Sequence, residues 1–309
     1  MQKLNLIIII TLFSLSLKAT EITRERFIMG TIATISLENR DKNQIQKAFD
    51  ILRDVENSLS SYKKDAKVYR LNHKKTVLMD KYLYEILQNS YKMYKKSNGY
   101  FDITIGFVTK NLYQFGEDER VPSDNELKDG VIDISSILVD NGVVSLQNGI
   151  MLDLGGIAKG YGVDKVSQYL QEQNITKARV SLSGDIRCIN LCKFQIQSPF
   201  AEDETILSFK SIIPNLSIST SGSYRRFVKN RKYHHLINPK TKKQTYDFVS
   251  VTIFKQKDNT KADAIATAAS VMPKQKAIDF LLKEDVGFIL IEKDKTIISS
   301  NLDAFVKAN

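Results

Sequence analysis

Residues Met151–Asp164, MLDLGGIAKGYGVD, constrain the fold more than any other stretch of the chain. An apolar run reads as a strand ending at Asp153. Gly155, Gly156, Gly160 and Gly162 then accompany a helix predicted to run from near Ile157 to near Gln173. Glycines at such a junction let a backbone approach a phosphate, and a helix N-terminus adds N–H donors and a positive dipole. The spacing matches neither G-x-x-x-x-G-K-[ST] nor G-x-G-x-x-G. Taken alone, the segment reads equally well as a glycine turn packing a strand on a helix.

The surrounding pattern does not alternate strictly between helix and strand, which favours an α+β fold of mixed sheets with packed helices over a doubly wound sheet. Phe27–Leu37 reads as one strand. Ile45, Ala48, Ile51, Leu52, Val55 and Leu59 recur at helical spacing. Asp80 is a good N-cap for a helix stopped by Asn98-Gly99, with Leu83, Ile86, Leu87 and Tyr94 on its inner face. Strands are predicted at Ala178–Ser183, Lys193–Ser198, Leu207–Ile213, Val249–Lys255 and Val286–Ile291, and helices near Lys261–Met272 and Lys274–Lys283. No linker or repeat interrupts residues 20–309, which read as one domain.

Residues 1–19 have Lys3, an apolar run from Leu4 to Leu17 and a small residue at Ala19, the pattern of a secretory signal peptide. An uncleaved anchor is the alternative. No cysteine follows the run, which argues against a lipoprotein anchor, and no later stretch has the 18 apolar residues a span needs. Export makes the two cysteines informative: Cys188 and Cys192 would meet as a disulfide across a tight hairpin, or stay as reduced structural thiols. The net charge of +10 is scattered rather than clustered, so a nucleic-acid partner is not expected.

Three other segments carry groups with chemistry. Asp263 and Thr267 are four residues apart, so on a helix they share a face and offer two oxygens to Mg²⁺; a first-turn carboxylate and a packed Thr is the bland alternative. His234 and His235 precede a turn at Asn238-Pro239, and on a strand only one of them faces a given side. Tyr62 and the Tyr100-Phe101-Asp102 stretch supply aromatics that would stack on a flat ligand or simply fill the core. No Ser/His/Asp or Cys/His triad can be assigned from spacing.

In order along the chain, Met29-Gly30-Thr31, Leu59-Ser60-Ser61-Tyr62, Phe101-Asp102-Ile103-Thr104, Leu152–Gly160 with Asp164, Ser183-Gly184-Asp185, Ser219-Thr220-Ser221-Gly222, His235–Pro239, and Asp263 with Thr267 resemble the ApbE family of flavin transferases. The resemblance covers nearly the whole chain after residue 19. It implies an ApbE-like (T-fold-like) architecture, FAD as substrate and Mg²⁺ as cofactor. It also implies transfer of FMN to a Ser or Thr hydroxyl of an exported or membrane-bound acceptor flavoprotein, with release of AMP. FAD hydrolysis to FMN and AMP, or FAD binding without turnover, are the alternatives. The location implied is the periplasm, at the inner membrane if the first segment stays attached.

By position, Tyr62 would face the isoalloxazine, and Met29, Tyr100, Phe101, Asp102, Asp153, Lys159 and Ile237 would line the FAD site. Gly156, Asp263 and Thr267 would hold the metal, while His235, or else Asp263, would move the proton. The chain departs from the family pattern in carrying Lys242 after Pro239-Lys240-Thr241 where Gly is usual, and Ser183 where Gly is common. It holds no D-x-x-[ST]-G-A-[ST] segment of its own, so self-modification is not expected.

Overall fold

The computed structural model describes residues 20–308, so the predicted signal peptide lies outside the described residues. Strand β1 (Glu21–Ile28) turns at Met29-Gly30 into β2 (Thr31–Glu38), paired from Glu21 with Glu38 to Ile28 with Thr31. The single strand predicted over 27–37 is therefore the end of one strand and most of the next. Met29 and Gly30 have φ of 56° and 72°, the left-handed pair that a two-residue hairpin requires. A methionine in the first of those positions hides the turn from a sequence reading.

Helix α1 (Gln44–Leu59) buries Ile45, Ala48, Leu52, Val55 and Leu59 as their spacing requires. Helix α2 (Lys67–Lys74) and strand β3 (Thr76–Leu78) follow. Helix α3 (Lys81–Lys96) is capped by Asp80, whose carboxylate accepts from Leu83 N at 2.9 Å. Next come α4 (Asp124–Asp129), β4 (Ile137–Asp140) and β5 (Val143–Leu146). The strand predicted to end at Asp153 is absent: Met151 makes one isolated bridge, to Ile105, and the nearest strand is β5. The apolar residues there, Ile150, Leu152 and Leu154, are buried on all sides instead of in a ladder.

Helix α5 (Ala158–Glu172) leads to β6 (Ala178–Leu182), β7 (Asp185–Cys188), β8 (Lys193–Gln197), β9 (Thr205–Ser211) and β10 (Leu216–Gly222). A short pair, β11 (Ile237–Asn238) and β12 (Lys243–Gln244), precedes β13 (Ser250–Gln256). Helices α6 (Asn259–Ser270) and α7 (Lys274–Leu282) and strands β14 (Gly287–Ile291), β15 (Ile297–Ser300) and β16 (Val306–Ala308) complete the chain.

An antiparallel sheet of eight strands, ordered β1-β2-β6-β7-β10-β13-β14-β15, organises the molecule. Alternate residues face opposite sides. Val180, Leu182, Val251, Ile253 and Leu290 join the helical cores, whereas Cys188, Leu216, Ile218, Phe254 and Ile289 pack against a second sheet, β16-β9-β8. Cys188 and Cys192 form a disulfide with a Cα–Cα distance of 5.9 Å. It does not close a paired hairpin, because β7 and β8 belong to different sheets. Among the described residues, no helix is long and apolar enough to cross a membrane.

Helices α5 and α6 cross closely, and the sequence permits it at Gly160, where a Cβ would lie 2.2 Å from Asn259 O. Asp164, one turn further along α5, accepts from Asn259 N (2.9 Å), Thr260 N (2.8 Å) and Thr260 Oγ1 (2.6 Å). It thereby satisfies two of the unpaired N–H groups that open α6. Arg187 binds the same carboxylate and Asn259 Oδ1, tying both helices to β7.

Candidate active site

The crossing of α5 and α6 gathers the predicted metal residues. Asp263 is buried, and its Oδ2 accepts from Gly160 N at 3.0 Å. Thr267 follows one turn later on α6. A Cβ at Gly156 would come within 2.7 Å of Thr267 Cγ2 and 2.8 Å of Thr267 Oγ1, so only glycine fits there. Ser221 Oγ lies 3.4 Å from Thr267 Oγ1. The donors are oxygen only, as a hard cation prefers.

Lys159 lies between two buried carboxylates, 3.1 Å from Asp185 Oδ2 and 3.6 Å from Asp263 Oδ2. Burial opposes the lysine charge, but the two carboxylates outweigh it and hold its pKa above the usual value. Burial, reinforced by the Asp185 charge, pushes the Asp263 pKa up to about 7 against the pull of Lys159 and Gly160. Asp185 is steadied by Ser219, whose Oγ donates to Oδ1 at 2.5 Å.

A second group adjoins the first through Asp153. Its carboxylate accepts from Gly155 N (2.9 Å) and Thr109 Oγ1 (2.6 Å), with Lys110 Nζ at 3.6 Å. Burial would raise its pKa, but Lys110, Thr109 and Gly155 reverse this and bring it to about 2. The Lys110 ammonium also stands 3.5 Å from the centre of the Tyr62 ring. Tyr62 is 39% exposed, its hydroxyl donates to Phe115 O at 2.9 Å, and Arg226 contacts the same hydroxyl. The Arg226 carbonyl in turn accepts from His235 Nδ1 at 3.1 Å. That bond leaves Nε2 as the basic nitrogen of the neutral ring. Burial, despite that carbonyl, lowers the His235 pKa to about 4.

The remaining predicted residues lie around this core. Tyr100 and Phe101 are buried, and Lys240 Nζ stands 4.8 Å from the Tyr100 ring centre. Asp102 accepts from Thr104 N and Oγ1 at 2.8 and 2.7 Å, and burial raises its pKa. With Asn98, Pro239 and Lys240 it lines a cavity of about 470 Å³. This stretch runs beside Asp153, whose N–H donates to Ile103 O at 2.8 Å. Ile237 is buried beside Phe115 and Val228, and Met29 donates its N–H to Glu56 Oε1 at 2.6 Å.

Asp185, Ser219 and Ser221 stood in recognised motifs but had no assigned role. Thr109, Lys110 and Arg226 carry no local signal at all. They converge only because distant loops fold together.

The ApbE family model matches residues 29–290. The chain belongs to the ApbE family. Among its relatives, the FAD:protein FMN transferase of Buchnera aphidicola is 30% identical, over 84% of this chain and 81% of that protein. The FAD:protein FMN transferase of Treponema pallidum is 29% identical, over 92% of this chain and 88% of that one. The flavin transferase ApbE from Vibrio cholerae superposes with a TM-score of 0.81 at 25% identity, covering 93% of this chain and 99% of that chain. The ApbE protein from Thermotoga maritima gives 0.83 at 24% identity, covering 92% and 98%, and supports the fold. The ApbE-like α+β architecture predicted from the sequence is thus the one observed.

Proposed function

We propose that this ApbE-family protein transfers FMN from FAD to a Ser or Thr hydroxyl of an acceptor flavoprotein, releasing AMP, with Mg²⁺ as cofactor. The observation that carries this reading is the pairing of Asp263 and Thr267 beside Gly156, with Lys159 at the same carboxylate. Among the described residues no cluster of three His, Cys, Asp or Glu gathers for a metal. A cation here would rest on Asp263, Thr267 and the Gly156 carbonyl, which suits Mg²⁺ because it keeps water and substrate phosphate as further ligands. When bound it supplies Lewis-acid stabilisation of charge on the pyrophosphate.

The protein's own groups do the rest. Lys159 keeps its proton and adds positive charge where phosphoryl oxygens become more negative. Asp185 holds that ammonium in place. His235 is neutral near pH 7, so Nε2 can accept the hydroxyl proton of the acceptor. Tyr62, partly exposed and with Lys110 and Arg226 against its ring, is the aromatic that would meet the isoalloxazine. The Cys188–Cys192 disulfide supports export to an oxidising compartment, the periplasm.

The test mixes residues 20–309 with FAD, Mg²⁺ and a candidate acceptor domain. AMP release matched by an acceptor mass gain of one FMN is the expected result. AMP and free FMN without the adduct would indicate hydrolysis, and bound FAD without AMP would overturn the catalytic reading.

A further inference from the structure

We infer that His234 is a positioning residue. It ties the segment that carries His235 to the last turn of α6, and so sets where His235 stands relative to the Asp263–Thr267 pair. The inference rests on the FMN-transfer reading for the role of His235 and adds a residue to which that reading gives no part.

Two adjacent side chains on extended backbone point opposite ways. His234 has φ of −77° and ψ of 162°, and the two histidines divide accordingly. His235 donates through Nδ1 to Arg226 O and is near enough to Lys159 for that charge to act on it. His234 turns inward, 2% exposed, with its Nε2 3.0 Å from Thr245 O. A carbonyl can only accept, so Nε2 carries the proton. Nδ1 is buried and makes no hydrogen bond among the described residues. The single N–H of the ring is therefore committed to Thr245. A side chain that only filled this space would be better apolar, since a buried nitrogen without a partner is destabilising.

That bond is one link in a chain that reaches Thr267. Thr245 Oγ1 donates to Ser270 O at 3.0 Å, and Ser270 is the last residue of α6. Ser270 Oγ lies 2.9 Å from the carbonyl oxygens of both Ala266 and Thr267. A helix leaves its final carbonyls without internal partners, and Thr245 supplies one from outside. The two segments are clamped a second time, because Gln244 Nε2 donates to His234 O at 3.0 Å and Gln244 Oε1 accepts from Tyr113 at 3.2 Å. The adjoining ladder of β11 and β12 has only two residues a side, too few to hold a loop alone. The bonds of His234 and Thr245 supply what it lacks, a continuous path from Thr267 to His235.

The test compares His234→Gln with His234→Asn in residues 20–309. Gln places an amide N–H near the position of Nε2 and keeps the bond to Thr245. Asn places its amide near Nδ1, where there is no partner, and loses that bond. Thr245→Val breaks the next link and leaves both imidazoles in place. The chain has three histidines, so proton–nitrogen correlation spectra of the imidazoles report on His235 individually. His235 should keep its Nδ1–H signature in the parent and in His234→Gln, and show mixed tautomers in His234→Asn and Thr245→Val. In those two variants kcat for FMN transfer should fall about 10-fold with the KM for FAD unchanged, and in His234→Gln it should stay within about 3-fold of the parent. A parental His235 spectrum in both His234→Asn and Thr245→Val would overturn the positioning role, as would equal rates in His234→Asn and His234→Gln. Equal loss of Tm and of FAD binding in all three variants would make His234 merely structural and overturn it too. Spectra that follow the expected order while the parent transfers no FMN would overturn the transfer reading and leave the clamp standing.

Discussion

The backbone N–H of Gly160 donates to Asp263 Oδ2 at 3.0 Å across the crossing of α5 and α6. Lys159 approaches the same oxygen. The carboxylate is thus oriented by a helix backbone and a cation before any ligand arrives, so orientation is not lost when substrate binds. Asp263→Asn preserves the volume and can still accept from Gly160, but it removes the charge that would hold Mg²⁺ under the proposed function. AMP release should fall by about 100-fold or more. FAD binding, followed by flavin fluorescence, should persist. Near wild-type turnover in Asp263→Asn would remove Asp263 from the metal site.

Gly156 makes a sharper test because its variant deletes no functional group. A single Cβ there would lie 2.7 Å from Thr267 Cγ2 and 2.8 Å from Oγ1, contacts that force one of the two segments to move. Gly156→Ala should lower transfer at least 10-fold while thermal unfolding shifts only slightly, since the segment lies at the start of α5 rather than in its interior. Raised Mg²⁺ should recover part of the loss. Full activity in Gly156→Ala would mean that Thr267 is not needed where it stands.

Much of this site was legible because its parts are local. Asp263 and Thr267 declare themselves by helical spacing, and the glycines at 156 and 160 announce a close approach that α6 then fills. The Tyr62 surroundings were not legible. Arg226 reaches Tyr62 across 164 residues of sequence, and Lys110 arrives from a separate turn of π-helix. Strand β10 was missed for a different reason. Its inward residues are Ser217 and Ser219, both buried against Arg187 and Asp185, so a polar face lies where an alternating pattern should show an apolar one. The β1–β2 turn escaped because no Asn-Gly or Asp-Gly marks it.

His235 contributes to the loss of stability in acid. Its pKa falls to about 4 in the fold, against about 6.5 in an unfolded chain. The unfolded state therefore binds the extra proton first. The stabilising contribution of neutral His235 is complete above about pH 6.5 and is lost as the pH falls toward 4. Buried His234 shifts in the same direction. Chemical denaturation across this range should show stability falling, and His235→Gln should flatten part of that fall. His235→Gln should slow transfer about 100-fold with FAD still bound. A fall in stability as steep in His235→Gln as in the parent would contradict a histidine that the fold holds neutral.

The disulfide closes a very short loop, so its removal should cost about 2 kcal/mol by chain entropy. Cys188 is fully buried among Phe194, Leu216 and Phe254, so the paired Cys188→Ala/Cys192→Ala change is the cleaner variant. Differential scanning calorimetry should show a lower Tm, while Mg²⁺-dependent AMP release at 25 °C should be unchanged, because the bridge joins β7 to β8 at the end remote from Asp185. Loss of activity in the folded variant would place the bridge in the reaction.

Two departures from the family pattern fall where the backbone is left-handed. Ser183 has φ of 55° and Lys242 φ of 57°, the positions where glycine is the more usual residue. A side chain in that region carries a strain of about 1 kcal/mol or more, which glycine relieves at a smaller cost in unfolded-state entropy. Ser183→Gly should therefore raise stability by about 0.5 kcal/mol. Lys242→Gly gains the same relief but loses the Nζ bond to Lys128 O at 2.8 Å, an exposed contact of small worth, so its gain should be a little less. The backbone bond from Lys242 N to Asn238 O at 2.8 Å needs no side chain and should survive, keeping the turn after β11 intact. Urea denaturation of the two variants decides the matter: destabilisation of both by more than 1 kcal/mol would mean that Ser183 and Lys242 are held in the left-handed region by contacts their side chains supply.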